Sequence, residues 1–245
     1  MNPLAHTLLI PHWPAPDRVR ACVTTRAGGV SAAPFDSLNL GDHVGDAAPA
    51  VAENRRRLAD HFAIRPAWLK QVHGVNVVHA TPGQVDEADA SWTSTPGVAC
   101  TVMTADCLPA LFCDRAGTRV AAAHAGWRGL AAGVLEATAA SLAVPGEDVL
   151  VWLGPAIGPR NFEVGSEVRD AFTATHPQTA QAFVPGASPG KFIADIYALA
   201  RLRLAAVGVT AVYGGGLCTV ADPQFFSYRR APVTGRFASL VWLQG

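Results

Sequence analysis

The chain has 245 residues, half of them hydrophobic, and its 19 Lys and Arg residues balance 19 Asp and Glu residues to a formal net charge of zero. This length allows a sizeable buried core, whereas the balanced charge lacks the basic surface expected of a nucleic-acid-binding protein. No apolar stretch reaches the roughly 18 residues that a membrane-spanning helix needs, and the N-terminus lacks the basic segment of a signal peptide. We therefore expect a cytoplasmic protein that acts on a small molecule, with neither nucleic acid nor membrane as a partner.

The first half of the chain predicts strands separated by turns, with one helix. The helix is expected at 51–62, where Val51, Leu58 and Phe62 have helical spacing. Short apolar runs with β-branched residues predict the strands. These lie at 18–25, in two short pieces within 68–80 around Gly74, and at 97–104, 109–113 and 119–125.

The second half predicts an alternation of helices and strands. An Ala- and Leu-rich run predicts a helix at 130–142, opened by a glycine-containing turn at 126–129. Further helices are expected near 166–173 and 194–206, and strands at 148–153, 210–213 and 237–243. The interleaving predicts an α/β (α+β) fold with helical layers over mixed sheets. We expect one domain spanning residues 1–245.

The five cysteines indicate reduced thiols rather than a disulfide framework. Their number is odd, and most lie in Val- and Ala-rich runs, as expected for buried thiols of a cytosolic protein. They are Cys22, Cys100, Cys107, Cys113 and Cys218.

Three segments place a metal-binding side chain where a strand gives way to a turn: KQVHG at 70–74, TADCLP at 104–109 and HAGWRG at 124–129. Their residues His73, Cys107 and His124 offer imidazole and thiolate ligands, which suit zinc. Two histidines and one cysteine leave one tetrahedral position open, as in catalytic zinc sites. Judged by spacing alone, hydrogen-bonded structural histidines and a buried thiol are more common than a metal site.

The same segments, together with GPAIGP at 154–159 and FFSYRR at 225–230, resemble the YfiH family, also called the laccase-domain family. RAGGVS at 26–31, PFDSLNLGDHVGD at 34–46 and ENRRRL at 53–58 fit as well, so that the resemblance extends from about residue 25 to residue 243. It implies a mixed-sheet α/β/β/α sandwich of the CNF/YfiH-like type, shared with the deamidase domain of a bacterial toxin. One departure is Ala231, where the family pattern predicts an acidic residue; it affects the edge of the site and not the metal ligands.

The resemblance also implies an activity. It assigns His73, Cys107 and His124 as zinc ligands and as the catalytic centre. It implies phosphorolysis of adenosine and inosine to the base and ribose 1-phosphate, cleavage of methylthioadenosine, and deamination of adenosine. Other roles attributed to the family are copper-dependent polyphenol oxidation and the editing of cell-wall precursors. We expect zinc as the cofactor with copper as the alternative, a purine nucleoside and phosphate as substrates, and a monomer.

Phosphorolysis requires a residue that holds phosphate beside the sugar. Arginine suits this role because its planar fork pairs with two phosphate oxygens. Arg128, at the start of the predicted helix, and Arg26, in a glycine-rich turn, are the candidates, with a surface or ion-paired arginine as the alternative for each. Asn39, with the neighbouring His43, is a candidate for binding ribose or base, or for stabilising its own loop.

Two other classes of function remain open from the residues. In a metal-free hydrolase, Cys107 would be the nucleophile and His124 its base. A binding module without turnover would instead carry a structural zinc, which normally has four protein ligands. Multi-copper oxidase chemistry requires several histidine clusters, and the sequence offers one CysHis₂ set. We expect Asp106 either to orient a metal ligand or to cap its own turn.

Overall fold

The computed structural model describes Leu4 and residues 7–245, in which strands and helices alternate along the chain. The strands are β1 (Leu8–Leu9), β2 (Val19–Thr24), β3 (Arg65–Ala67), β4 (Leu69–Lys70), β5 (Val77–His79), β6 (Asp86–Glu87), β7 (Ala90–Thr93), β8 (Val98–Thr104), β9 (Leu108–Asp114), β10 (Val120–Ala125), β11 (Val149–Leu153), β12 (Glu163–Gly165), β13 (Phe183–Pro185), β14 (Lys191–Ala194), β15 (Ala211–Gly214) and β16 (Phe237–Leu243). The helices are α1 (Ala48–Phe62), α2 (Trp127–Ala132), α3 (Val134–Ser141), α4 (Ser166–Thr173) and α5 (Ile196–Ala205), with short 3₁₀ helices at Gly146–Asp148, Pro159–Asn161 and Pro177–Ala182.

Most of the strands belong to two large mixed sheets. One has the order β1-β2-β16-β8-β3 and the other the order β15-β11-β9-β10-β7-β5. Neighbouring strands are antiparallel except in the pairs β3–β8, β5–β7 and β11–β15, which are parallel. In the second sheet Leu108 of β9 lies opposite Ala125 of β10, and Ala90 of β7 lies opposite Ala123 of β10. The beginnings of β7 and β9 and the end of β10 therefore meet at one end of the sheet.

The two large sheets pack face to face on a shared apolar layer. Cys100 and Val102 of β8 and Val241 of β16 belong to the same buried cluster as Cys113 of β9 and Ala122 of β10. Every residue of β8, β9 and β10 is buried. Because both faces of these strands are covered, their sequences read as continuous apolar runs rather than as alternating polar and apolar residues.

Helices cover the outer faces of the two sheets. On the five-stranded sheet, Leu58 of α1 packs in one cluster with Met103 and Trp242. On the six-stranded sheet, the apolar faces of α3 and α5 share a cluster with residues of β9, β10 and β11. The layers therefore run helix, sheet, sheet, helix, and the expected α/β/β/α sandwich is confirmed.

The helix predicted at 130–142 is in fact two helices. Helix α2 already begins at Trp127 and ends at Ala132, and α3 begins at Val134. Gly133 between them has a φ of 108°, in the left-handed region that glycine enters without steric cost. This residue therefore ends one helix and opens the next, where the sequence pattern predicted continuity.

The other predicted helices and strands are present with bounds that differ by one to three residues at most ends. A three-stranded sheet of order β12-β14-β13 was not predicted, since its strands are only three or four residues long. Within the described part of the chain, no helix has the length and apolar character that crossing a bilayer requires. That residues 1–245 form one domain stays a prediction.

Candidate active site

Three side chains with metal-binding atoms converge at the end of the six-stranded sheet. His73 lies in the turn between β4 and β5, Cys107 in the turn between β8 and β9, and His124 near the end of β10. Their ligand atoms all lie within 4.8 Å of one another, and Cys107 Sγ is 3.7 Å from His73 Nε2. Among residues 7–245 this is the one group of three or more His, Cys, Asp or Glu side chains found close enough to hold a metal ion. The predicted ligands thus come together in space.

The buried carboxylate of Asp89 holds both the turn that carries His73 and the imidazole of His124 in place. Its oxygens accept hydrogen bonds from the backbone N–H groups of His73 at 2.9 Å and Gly74 at 2.6 Å. One oxygen also lies 2.8 Å from Nδ1 of His124. Since a carboxylate can only accept here, this contact assigns the imidazole proton to Nδ1 and leaves Nε2 of His124 as the ligand atom.

Sequence reasoning did not select Asp89. The available signal was an acidic residue directly before the buried strand β7, where a fully buried carboxylate needs partners. Those partners come from a turn about fifteen residues earlier and from a strand 35 residues later. No spacing rule connects these segments.

Glycine provides the space in which the three ligand side chains meet. A Cβ atom at Gly126 would lie 2.6 Å from Cδ2 of His73 and 3.1 Å from Sγ of Cys107. A Cβ atom at Gly129 would lie 2.7 Å from the carbonyl oxygen of Gly74. The QVHG turn approaches α2 so closely that positions 126 and 129 require glycine.

The three side chains of His73, Cys107 and His124, here called the ligand group, carry opposite charges in close contact. Burial raises the pKa of the Cys107 thiol, but the charge and hydrogen bonds of His124 and the hydrogen bond of His73 outweigh burial and bring the pKa to about 6. Burial lowers the pKa of His124, whereas Cys107 and Asp89 together raise it above its usual value. By contrast, burial raises the pKa values of Cys100 and Cys113 to about 12. Cys107 is therefore chemically distinct from the cysteines of the core.

Asp106 serves the turn beside Cys107 and not a metal ligand. Its carboxylate accepts hydrogen bonds from Thr219 Oγ1 and from the backbone N–H of Arg229, both at 2.6 Å. The residue has a φ of 93°, an uncommon conformation for a non-glycine residue, which these bonds hold in place. Of the two roles expected for Asp106, the contacts match stabilisation of the turn, and they extend it to the segment 219–229.

The ligand group opens into a cleft of about 430 Å³. Apolar and aromatic side chains form part of its wall, among them Met103, Trp127, Ile157 and Phe162. The polar and charged lining residues are His43, Gln71, His73, Thr104, Asp106, Cys107, His124, Tyr228, Arg229 and Arg236. Apolar walls with a few convergent polar groups are typical of small-molecule sites.

The chemistry of the ligand atoms and the distance between Cys107 and His73 fit a tetrahedral zinc ion. With the usual zinc–sulfur and zinc–nitrogen bond lengths, two such ligands are separated by about 3.6 Å, close to the 3.7 Å between Cys107 Sγ and His73 Nε2. The low pKa of the Cys107 thiol favours the thiolate that zinc requires. Three protein ligands would leave one position of a tetrahedral ion for water or substrate.

Comparison with known proteins assigns the family of this chain. The family described as "Multi-copper polyphenol oxidoreductase laccase" matches residues 20–244. A protein named purine nucleoside phosphorylase YfiH, from Escherichia coli, is 56% identical over 241 residues, covering 96% of this chain and 98% of the relative. The chain belongs to the YfiH, or laccase-domain, family.

Other similar proteins agree with this membership. A protein of Pseudomonas aeruginosa named purine nucleoside phosphorylase is 73% identical over 237 residues, covering 96% of this chain and 98% of the relative. A crystal structure of a Neisseria meningitidis protein has a TM-score of 0.95 at 54% identity, over 98% of this chain and 100% of the other. YlmD from Geobacillus stearothermophilus has a TM-score of 0.92 at 33% identity, over 98% of this chain and 97% of the other. The sandwich is thus the fold of solved relatives.

Of the four residues expected to bind substrate in this YfiH-family chain, His43 lines the cleft, whereas Arg26 and Arg128 lie in other contacts. Arg26 forms an ion pair of 3.0 Å with Asp36, and its guanidinium lies over the ring of Phe226. Arg128 is exposed, and its guanidinium lies 4.4 Å from the ring centroid of Trp127. Trp127 lines the cleft, whereas neither Arg26 nor Arg128 is among the lining residues.

The remaining candidate, Asn39, is fully buried and stabilises its own surroundings. Its Oδ1 accepts hydrogen bonds from the backbone N–H groups of Gly41 at 2.9 Å and Arg236 at 2.8 Å. Its amide nitrogen donates to Asp46 Oδ2 at 2.9 Å. Asn39 therefore lies behind the cleft and fixes the backbone of Arg236, which lines it.

Two arginines of the cleft were not selected from the sequence. Arg229 donates to the carbonyl oxygens of Asn161 and Glu163. Arg236 precedes β16, where a single arginine beside an apolar strand gives no sequence signal. The FFSYRR segment, which carries part of the family resemblance, indicated this region without indicating which side chains reach the cleft.

Proposed function

We propose that this protein is a zinc-dependent purine nucleoside phosphorylase, acting on adenosine, inosine and methylthioadenosine. The observation that carries the proposal is the convergence of His73, Cys107 and His124 beneath an open cleft of about 430 Å³. Relatives named purine nucleoside phosphorylase, which this chain matches over 96% of its length, support the reaction. The same three residues form the proposed metal site and catalytic centre.

In the proposed reaction an oxygen of the phosphate dianion forms a bond to C1′ of the ribose while the bond from C1′ to the purine breaks. The electron pair of that bond stays on the purine, which takes up the proton that phosphate brought. The products are the free base and ribose 1-phosphate. Zinc, when bound, supplies a Lewis acid that polarises an oxygen or nitrogen atom of the substrate.

The residues of the chain have separate roles in this proposal. His73, Cys107 and His124 hold the metal, and Asp89 keeps the imidazole of His124 oriented. The apolar walls offer a planar base a surface to pack on and exclude water from the reacting atoms. Gln71 is not free for the base, since its amide bonds the backbone N–H and carbonyl of Met103, both at 2.8 Å.

The contacts of Arg26, Asn39 and Arg128 favour supporting roles over direct binding of substrate. Arg26 is ion-paired, Asn39 is fully buried, and Arg128 stacks on the side of Trp127. We propose that Asn39 positions a residue of the cleft and that Arg128 holds the aromatic wall. If an arginine binds the phosphate, it is therefore one other than Arg26 or Arg128.

A second candidate is a metal-free cysteine hydrolase, as in the editing of cell-wall precursors. The observation that favours it is a thiol with a pKa of about 6 in contact with two imidazoles, one of them oriented by Asp89. This is the order of groups in a Cys–His–Asp catalytic site, in which Cys107 would attack a carbonyl. The two candidates differ in whether the metal is required.

The deciding experiment measures products with protein of known metal content. Incubation with adenosine, inosine or methylthioadenosine, with and without phosphate, should give base and ribose 1-phosphate only when phosphate is present. Product chromatography would also detect deamination of adenosine. Removal of zinc should abolish the reaction and its return should restore it, while His73→Ala, Cys107→Ala and His124→Ala should each lose zinc. Full phosphorolysis without metal, or an amidase activity that persists after chelation, would contradict the proposal.

A further inference from the structure

Arg236 is held at the edge of the cleft by its backbone. Its N–H donates to Asn39 Oδ1 at 2.8 Å, and its carbonyl accepts from the N–H of Leu40 at 3.0 Å. A Cβ atom at Gly41 would lie 2.8 Å from Cγ of Arg236, so glycine at 41 lets the side chain cross this loop. The position of the side chain is therefore built by the fold and is not that of a free surface arginine.

The guanidinium of Arg236 has one side bonded and one side free. Nη1 donates to the carbonyl oxygens of Thr234 at 3.1 Å and Gly235 at 3.0 Å. In the described part of the chain, neither Nε nor Nη2 has a hydrogen-bond acceptor. These two atoms form one edge of the planar guanidinium, the edge that pairs with two oxygens of an oxyanion. The free edge belongs to a residue that lines the cleft.

No carboxylate of residues 7–245 forms an ion pair with Arg236. By contrast, Arg26 pairs with Asp36, Arg55 with Asp42 and Arg203 with Glu136. The acidic groups that act on the charge of Arg236 include Cys107 and Asp106. Both oxygens of Asp106 are already bonded, and the thiolate of Cys107 is the proposed zinc ligand. A partly buried cation is thus left without a counter-charge of its own, which an anionic ligand would supply.

We infer that Arg236 binds the phosphate of the proposed reaction through Nε and Nη2, in the cleft that it lines. This inference rests on the proposed function and names the phosphate site within it. Arg229 also lines the cleft, but its own guanidinium is fixed by two backbone carbonyls. Phosphate held in this way lies in the same cleft as the metal ligands, so that its oxygen is available to bond C1′ as the bond to the purine breaks.

The test compares the phosphate dependence of Arg236→Gln and wild type, on protein with zinc content confirmed. Loss of a charge-assisted bidentate contact should raise the KM for phosphate about ten- to a hundredfold, with the KM for inosine little changed. Arg236→Lys should recover part of the loss, because lysine restores the charge but not the fork. Arg65→Gln, at an exposed arginine of β3, is the matched control and should behave as wild type.

A second measurement uses inorganic phosphate alone and needs no turnover. Phosphate should raise the thermal midpoint of the wild type and of Arg236→Lys more than that of Arg236→Gln. If the wild type has no phosphorolysis but shows the Arg236-dependent shift, the proposed function fails while the phosphate site stands. A wild-type phosphate KM and thermal shift in folded, zinc-loaded Arg236→Gln would overturn the inference. So would a raised phosphate KM in Arg128→Gln alone.

Discussion

Asp89 lies 2.8 Å from Nδ1 of His124 while the same carboxylate accepts the backbone N–H groups of the turn that carries His73. The side chain of Asp89 therefore orients the imidazole of His124 and fixes the backbone of the turn that carries His73. Both proposed ligands, His73 and His124, thus depend on Asp89, which is not itself one of the proposed ligands. The geometry of the centre is consequently set by strand pairing between β7 and β10 as much as by the ligands.

Replacing Asp89 with Asn should weaken zinc binding without removing a ligand. Loss of an orienting carboxylate typically lowers metal affinity about ten- to a hundredfold, and the neutral amide also cannot accept all of the bonds that Asp89 accepts. Zinc affinity measured by competition with a chelator checks the effect. Asp86→Asn, three residues earlier in β6, is the control and should keep wild-type affinity. An unchanged affinity in Asp89→Asn would show that the ligands are held by other contacts.

In metal-free protein, Cys107 should react with iodoacetamide faster than the core cysteines at neutral pH. Its pKa of about 6 means that the thiolate forms as pH rises through that value and is lost as pH falls below it. The rate should therefore increase from about pH 5 and level off by about pH 8. Peptide mapping by mass spectrometry measures the rate at each cysteine, and Cys107→Ser should abolish the fast phase.

The same experiment tests metal binding. Zinc should protect Cys107 from alkylation above its pKa, since a coordinated thiolate is not free to attack. At lower pH protons compete with the metal for the sulfur, so that protection should fade as pH falls through about 6. Equal labelling with and without zinc across this range would remove Cys107 from the metal site.

Gly126→Ala should disrupt the ligand group. The added Cβ would lie 2.6 Å from Cδ2 of His73, which forces the ring to move. Overpacking of this kind destabilises by about 1–3 kcal/mol, and displacement of a reacting group by about 1 Å can lower the rate about a hundredfold. Thermal unfolding, zinc content and kcat measure the effects separately. Gly245→Ala, where the added atom has room, should match wild type.

The four other cysteines should be dispensable for activity. Cys22, Cys100 and Cys113 are buried in the core, and Cys218 bonds Asn161 and the N–H of Gly158. Replacement of each with Ala or Ser should leave kcat largely intact in folded protein and cost stability of about 1 kcal/mol. Steady-state kinetics with unfolding curves check this. Loss of activity at Cys113, with zinc and fold preserved, would mean that the reactive thiol had been misassigned.

The sequence by itself determined most helices and strands and brought out the candidate ligand set. Strand β16 and helix α4 have the predicted bounds, because each is a run whose hydrophobic pattern and end residues agree locally. His73, Cys107 and His124 were predicted as ligands because each lies in a short segment that combines a ligand with glycine or proline at a strand end, and because these segments resemble the YfiH family. These patterns can be read from the sequence because they depend only on residues that are neighbours in the chain.

Only the tertiary structure decided what surrounds the ligands. Asp89 and Arg236 are single residues whose roles come from partners 15 to 35 and 197 positions away in the chain. Local chemistry likewise suggested Arg26, Asn39 and Arg128 as substrate contacts, but an ion pair, burial and an aromatic neighbour occupy their side chains. Which polar group faces the cleft depends on how two sheets and their turns pack, and that packing is not encoded in the spacing of any one segment.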